Sequence, residues 1–246
     1  VQVFADDDGG TSGYCFSEGV YIANPYGEPR KASDLPAPHK KSQAEIEAEI
    51  AEVSGYQVVA LNDKKLGEEA LRSYGVRVAV SEADGSTPEC VYYPYTNKGK
   101  VVGYKVKLLP KDGQAKKVWS IGNLKDVDLF GWKQALGSGS KKIIITEGED
   151  DAIALSRILI RYTKPEYNDS IPAVVSIPHG AGNAARDLSR YKNELNEHFR
   201  EVVLCFDIDE PGRKAVEESM LVIPHAVSAN LPRKDANQCL IDGVSK

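Results

Sequence analysis

The sequence predicts two successive folds: an α+β half with an antiparallel sheet and short helices, then an α/β half around a central parallel sheet. Three observations predict them. Over residues 76–119 apolar and polar residues alternate with period two, around a hairpin signal at Asn97-Lys98-Gly99. Beyond Gly137-Ser138-Gly139-Ser140, four short apolar runs alternate with three helical stretches, the pattern of a parallel sheet with helices on both faces. The first of those runs, Ile143-Ile144-Ile145, stops at Glu147-Gly148 just before a helical pattern begins. A carboxylate then stands on the carboxyl lip of a buried strand, where open parallel sheets carry their functional crevice.

Each element has its own signal. Residues 1–24 hold short apolar-aromatic pieces around Asp6-Asp7-Asp8-Gly9-Gly10, a small β-hairpin pattern. Residues 25–41 carry Pro25, Pro29, Pro36 and Pro38 with two basic pairs, a linker composition. Residues 42–53 form a helix, with Ser42 and Glu45 spaced as a capping box and Ile46, Ile50 and Val53 on one face. Residues 66–74 form a second helix, stopped by Gly75. Strands follow at 76–80, 90–95, 101–108 and 116–121, the last after a turn at Lys111-Asp112-Gly113. In the second half the strands are 143–146, 173–177, 202–206 and 226–231, and the helices are 150–162, 183–198 and 211–221. The resulting segments are 1–24, a linker at 25–41, a first half at 42–136 and a second at 141–246.

Bulk properties narrow the setting. A chain of 246 residues can bury a real core as one large or two small domains. Its net charge of −5 means that nucleic-acid binding would need a local basic patch. Cys15, Cys90, Cys205 and Cys239 are scattered, which fits a reducing, cytoplasmic setting rather than a disulfide scaffold. No run of about 18 apolar residues suggests a membrane span. The chain starts at Val1 and has a single methionine, Met220, so a piece of a longer protein is expected.

The strand ends of the second half deliver chemistry. The first gives Glu147, the second His179-Gly180-Ala181, the third Asp207-Ile208-Asp209, and the fourth leads to Lys234-Asp235-Ala236-Asn237. One acid after a strand is more often a helix N-cap or a solvated turn, roles that suit Asp150 and Glu210. Acids at three of four ends of one sheet exceed that explanation. Clustered carboxylates repel, and keeping them ionised needs a cation. An all-oxygen set selects a hard ion, Mg2+ or Mn2+, which serves phosphoryl or nucleotidyl transfer. In the first half Lys105 and Lys107 share one face of a strand, with Tyr104 and Val106 on the other. Alone, such lysines are most simply a solvated face.

These residues carry a resemblance. Glu147-Gly148-Glu149-Asp150-Asp151 and residues 206–215 resemble the two signature motifs of the TOPRIM domain. That domain occurs in DnaG-type primases, type IA and II topoisomerases, and OLD- and RecR-like proteins. The order over 146–149, 179–181, 207–218 and 234–239 is similar to the primase half of bifunctional phage primase–helicases. The match is strong over the second half, and weaker but in register through Lys105, Lys107 and Leu129-Phe130-Gly131. It implies a basic primase subdomain at 42–136 and a TOPRIM domain at 141–246. It implies Glu147 as metal ligand and general base, with Asp207, Asp209 and Asp235 as further metal ligands. It casts Lys105, Lys107, Lys116, Lys117, His179, Gly180, Arg213, Lys234 and Asn237 as contacts for nucleotide or DNA. The activity implied is synthesis of short RNA primers on single-stranded DNA from NTPs, with Mg2+ or Mn2+. The implied partners are a replicative helicase, fused or in trans, and a DNA polymerase, in a bacterial host's cytoplasm if phage-encoded.

The sequence departs from that family at its start. Such proteins often begin with a zinc ribbon built on two Cys-x-x-Cys pairs. Cys15 resembles part of the second pair, but Glu18 stands three residues on. Residues 1–24 are therefore read as a remnant of that piece, and zinc is not expected in this chain. Rival readings are a catalytically inactive single-stranded-DNA-binding module of a Twinkle-like helicase, and a TOPRIM nuclease or topoisomerase.

Overall fold

The computed structural model describes residues 2–5, 11–15, 20–23, 41–109, 117–164, 166 and 171–244, and it divides the chain into two compact units, Val1–Gln43 and Ala44–Lys246. The linker at 25–40, the acidic run at 6–8, the turn at 111–113 and Lys116 lie outside the described residues. In the first unit β1 (Gln2–Ala5), β2 (Thr11–Cys15) and β3 (Val20–Ala23) form an antiparallel sheet in that order. The hairpin expected there gains a third strand, because Val20-Tyr21-Ile22 is a β-branched and aromatic run that suits a pleated sheet.

The second unit opens with α1 (Gln43–Ser54), one 3-10 turn at Asn62–Lys64, and α2 (Glu68–Ser73). A four-stranded antiparallel meander follows: β4 (Arg77–Val80), β5 (Pro88–Asn97), β6 (Lys100–Leu108) and β7 (Val118–Gly122). The β5–β6 connection is the two-residue turn Lys98-Gly99, with φ of 51° and 76°. Positive φ at both positions is the hairpin geometry that matches strand twist. Asp128 fixes this tip. It accepts hydrogen bonds from the Lys98 and Gly99 amides at 3.2 and 3.1 Å and from the Tyr191 hydroxyl at 2.9 Å.

Both faces of the meander are covered. Tyr104, Val106 and Ile121 pack with Val53 of α1. Tyr93 and Tyr95 point the other way, into a core shared with the second half. Lys105 is in register with Tyr93, so the lysines lie on that same face. The reading of these lysines as a solvated face is corrected here: the lysine-bearing face is largely closed by the second half of the unit, because two tyrosines on it must also be buried.

The second half adds α3 (Trp132–Gly137), β8 (Lys142–Thr146), α4 (Glu149–Tyr162), β9 (Ala173–Ser176), α5 (Ala184–His198), β10 (Glu201–Cys205), α6 (Glu210–Val222), β11 (Val227–Ser228) and α7 (Ala236–Asp242). The strands form a parallel sheet in the order β11-β10-β8-β9. Ile143 and Ile145 point to a core with Leu188, Leu195, Leu204 and Ile223, while Ile144 points to the α4 and α7 side. The strand expected at 226–231 shrinks to Val227–Ser228, an edge pairing with β10 alone. Helices α3 and α7 escaped the sequence reading because six or seven residues give too few turns for a periodic signal. No helix of the described residues is long and apolar enough to cross a membrane.

Phe130 joins the halves. Its amide and carbonyl exchange hydrogen bonds with Ser176 at 3.0 and 3.1 Å, which adds it to the sheet edge. Its ring stacks on Tyr74 at 5.3 Å and meets Tyr93 edge-on at 5.9 Å.

Candidate active site

The parallel register builds the site. Thr146 pairs with Cys205 on one side and Ser176 on the other, so β8, β9 and β10 end at one level. From β8 the chain runs through α4 to β9, then through α5 back past β8 to β10. The sheet order therefore reverses at β8–β10, and a crevice opens between loops that depart in opposite directions. Glu147 leaves one side of it and Asp207 the other. A cleft of about 580 Å³ opens there, lined by Glu147, Asp151, Asp207, Lys105, Lys107, His179 and Gly180 among others.

The acids in the cleft strain one another. Burial raises the Glu147 carboxyl above its ordinary range, and the charges of Asp207 and Asp209 raise it further. Its Oε2 is buried without a hydrogen-bond partner. Burial also raises Asp207, helped by Asp235. Asp151 is pushed up to about 7, first by burial and then by Asp235, Asp207 and Asp150, against one hydrogen bond from the Asn237 amide at 2.9 Å. Lys234 offsets part of this charge, 3.6 Å from both Asp207 and Asp209, and is itself raised by those two acids.

Two glycines permit the loops to approach. A Cβ on Gly212 would lie 2.1 Å from the Asp207 carbonyl oxygen, so α6 can start this close to the Asp207 loop only with glycine there. A Cβ on Gly148 would meet the Asp151 carboxylate at 2.5 Å.

The expected site residues divide by what they touch. Asp209 caps α6 through the Gly212 amide at 3.1 Å, and Asp235 caps α7 through the Gln238 amide at 2.7 Å. Capping thus falls to these two. Asp150 and Glu210, to which the sequence reading gave it, lie inside their helices, and Gly148 holds the N-cap position of α4. Lys105 and Lys107 reach the cleft but pair with Glu149, which is only 2% exposed. Asp150 is likewise buried and bonds Lys64 and the Tyr93 hydroxyl. His179 has both ring nitrogens engaged, Nδ1 with Asp187 at 2.9 Å and Nε2 with the Leu124 carbonyl at 2.8 Å. Its ring is a tie between loops, while the adjacent Gly180, φ 72°, stays on the cleft. Asn237 holds Asp151 by its amide and the Lys64 carbonyl by its side chain at 2.9 Å. Arg213 donates to the Ile208 carbonyl, and Lys117 is exposed beside β7.

Sequence reasoning missed two residues. Asp151 follows Glu147 by four positions across the start of α4, a spacing that brings it back to the same lip. Glu149 alternates with Glu147, but nothing local says that it turns inward to lysines 44 and 42 positions earlier in the chain.

The donors fit a hard divalent cation. Glu147, Asp151 and Asp207 offer oxygen only, carry pKa values raised first by burial and then by neighbouring acids, and include one unpartnered buried oxygen. Among the described residues no three such side chains close tightly enough to cage an ion. Mg2+ commonly takes one or two carboxylates and completes its shell with water and substrate phosphate, so an open acidic cleft suits it.

The chain is similar to known proteins in sequence and in fold. Residues 144–240 match a Toprim-like family. Over 150 residues the chain is 40% identical to a DNA helicase/primase of Enterobacteria phage T3, covering 60% of this chain but 24% of that protein. It therefore spans about a quarter of the length of that curated relative. The crystal structure of the primase fragment of the bacteriophage T7 primase-helicase protein superposes with a TM-score of 0.62 at 27% identity, covering 97% of this chain and 88% of that one. A chain from the structure of the T7 lagging-strand DNA polymerase interacting with primase domains bound to an RNA/DNA hybrid and dTTP gives 0.60 at 33%, over 77% and 87%.

Proposed function

This chain belongs to the Toprim-domain DNA primases, the group of the phage primase–helicases, and from that premise we propose that it synthesises short RNA primers on single-stranded DNA from nucleoside triphosphates. The observation that carries the reading is one cleft holding three crowded carboxylates, Glu147, Asp151 and Asp207, beside two lysines. Phosphoryl transfer asks for positioning and charge neutralisation more than covalent help, and the cleft offers both. A primer 3′-hydroxyl attacks the α-phosphorus of the incoming triphosphate. The new O–P bond forms as the bond to the β-phosphate oxygen breaks, and pyrophosphate leaves. Glu147, half buried and raised in pKa, takes the hydroxyl proton through a carboxylate oxygen. Lys105 and Lys107 face the departing phosphates. Glu147, Asp151 and Asp207, with Asp209 and Asp235 nearby, would offer carboxylate oxygens to Mg2+ or Mn2+, which would supply Lewis-acid neutralisation of the phosphate charge.

In this reading residues 42–136 act as the basic subdomain and 141–246 as the Toprim domain, in the cytoplasm of a bacterial host. The template is single-stranded DNA, and the protein works with a replicative helicase and a DNA polymerase. The test is primer synthesis by the intact protein from single-stranded DNA, NTPs and either metal. Oligoribonucleotides are expected, together with loss of metal-dependent NTP binding in Asp207→Ala. A folded wild-type protein that makes no oligoribonucleotide with either metal overturns the reading.

A further inference from the structure

Glu149 is buried, and its carboxylate bonds a tyrosine and two lysines. Its Oε1 accepts from the Tyr95 hydroxyl at 2.6 Å and from Lys105 Nζ, and its Oε2 accepts from Lys107 Nζ at 2.8 Å. Both carboxylate oxygens are occupied, so Glu149 has little left to offer a metal ion. The lysines are different. An ammonium group carries three N–H donors. Lys105 uses one on Glu149 and one on the Pro178 carbonyl at 2.7 Å. Lys107 uses one on Glu149, with Asp150 farther away at 3.7 Å. Each ammonium also rests over a buried tyrosine ring, Lys105 at 5.3 Å from the Tyr95 centroid and Lys107 at 4.7 Å from that of Tyr93. Each therefore keeps at least one N–H uncommitted, on a stem whose position is fixed, and both line the cleft that holds Glu147 and Asp207.

We infer that Glu149 is a positioning residue: it holds Lys105 and Lys107 side by side as a two-point receptor for the polyphosphate of an incoming nucleoside triphosphate. The inference rests on the primase reading for the identity of the ligand. A free lysine is a flexible point charge that loses rotamer entropy when it grips an anion. A lysine pinned by a buried carboxylate has lost that entropy on folding. Two such groups on alternate residues of one strand suit a ligand with successive oxyanions, and suit a monophosphate less well.

The sign of one substitution separates positioning from simple charge. Glu149→Gln removes a negative charge from beside two lysines. If Glu149 only balanced charge, the variant would bind anions more tightly. If Glu149 positions, it binds them more weakly despite the more favourable charge. The probe is inorganic tripolyphosphate, titrated calorimetrically into wild type, Glu149→Gln and Glu149→Asp, with Mg2+ and with EDTA, each protein first checked for folding by its thermal transition. Both variants are expected to bind about tenfold more weakly than wild type, the worth of one charge-assisted hydrogen bond. Glu149→Asp keeps the charge but is one methylene too short to reach both lysines, and it decides the matter alone if Glu149→Gln does not fold. In primer synthesis the KM for NTP should rise by a similar factor, with kcat nearly unchanged. Equal or tighter tripolyphosphate binding by the folded variants overturns the inference, as does a lower melting temperature with unchanged affinity. Weaker binding by the variants of a protein that makes no primers would overturn the primase reading and leave the receptor standing.

Discussion

Asp151 is a partly buried carboxylate with three acids for neighbours and one backbone amide to hold it. Its pKa in the folded chain is about 7, against an ordinary 3.8. The folded state thus keeps a proton that the unfolded chain has already released, and by linkage this group's contribution to stability falls as pH rises from about 4 to about 7. Glu149 and Asp150 work in the opposite sense. Lysines hold both carboxylates below their usual range, so their contribution is present above that range and lost as pH falls. Asp151→Asn isolates the first effect: the metal-free variant should be more stable than wild type by about 1–3 kcal/mol at pH 8 and indistinguishable near pH 4. Urea melts at the two pH values measure it, and added Mg2+ should shrink the gap by stabilising only wild type. A variant no more stable at pH 8 would mean that the Asp151 charge is not strained. Of the cleft acids, Glu147 and Asp207 were legible as the ends of apolar runs. Asp151 was not, because it sits inside a helix where acids are ordinary first-turn residues.

Elements decide how near those acids come. The main strands of the parallel sheet and helices α4, α5 and α6 follow from local periodicity, since a buried strand and an amphipathic helix each write their pattern into consecutive residues. Their approach at the site depends on Gly212, which brings the first turn of α6 against the Asp207 backbone. Gly212→Ala would force a Cβ onto a backbone oxygen 2.1 Å away, and the loop must move. It should cost about 1–3 kcal/mol, as overpacking does. Its effect on metal-dependent NTP binding should exceed what the remaining folded fraction explains, because Asp207 moves with its loop. Thermal melts and NTP titration of the same sample check both; full affinity in the folded variant would show that the loop tolerates the shift.

At the scale of the unit 44–246, the two halves share one core. Tyr93 and Tyr95 of the meander, Phe130 of the connection, and Ile144, Ile153 and Val174 of the parallel half belong to one buried cluster. The composition shift at 137–140 therefore marks a change of fold class within a continuous interior. Phe130 is 1% exposed at the centre of the contact. Phe130→Ala should cost about 3–5 kcal/mol and lower the stability of both halves together. Wild type should unfold in one transition whether followed by tryptophan fluorescence or by far-ultraviolet dichroism of the helices. Two separated transitions in wild type would contradict the shared core.

The sequence by itself determined the order of the longer elements, the parallel sheet of the second half and the gathering of acids at its carboxyl ends, because each rests on neighbours along the chain. Only the tertiary structure decided which charges are free. Lys105 and Lys107 read as a basic face, Glu149 as one more acid in a run, and Asp209 and Asp235 as ligands. Packing the meander's tyrosines onto α4 buried Glu149 against both lysines, and the starts of α6 and α7 gave the two aspartates amides to cap. The two caps are local, each to an amide three positions on, but for Glu149 and the lysines the partner lies across the fold. Lys105 and Glu149 are 44 positions apart, and no local pattern records which acid a buried lysine will find.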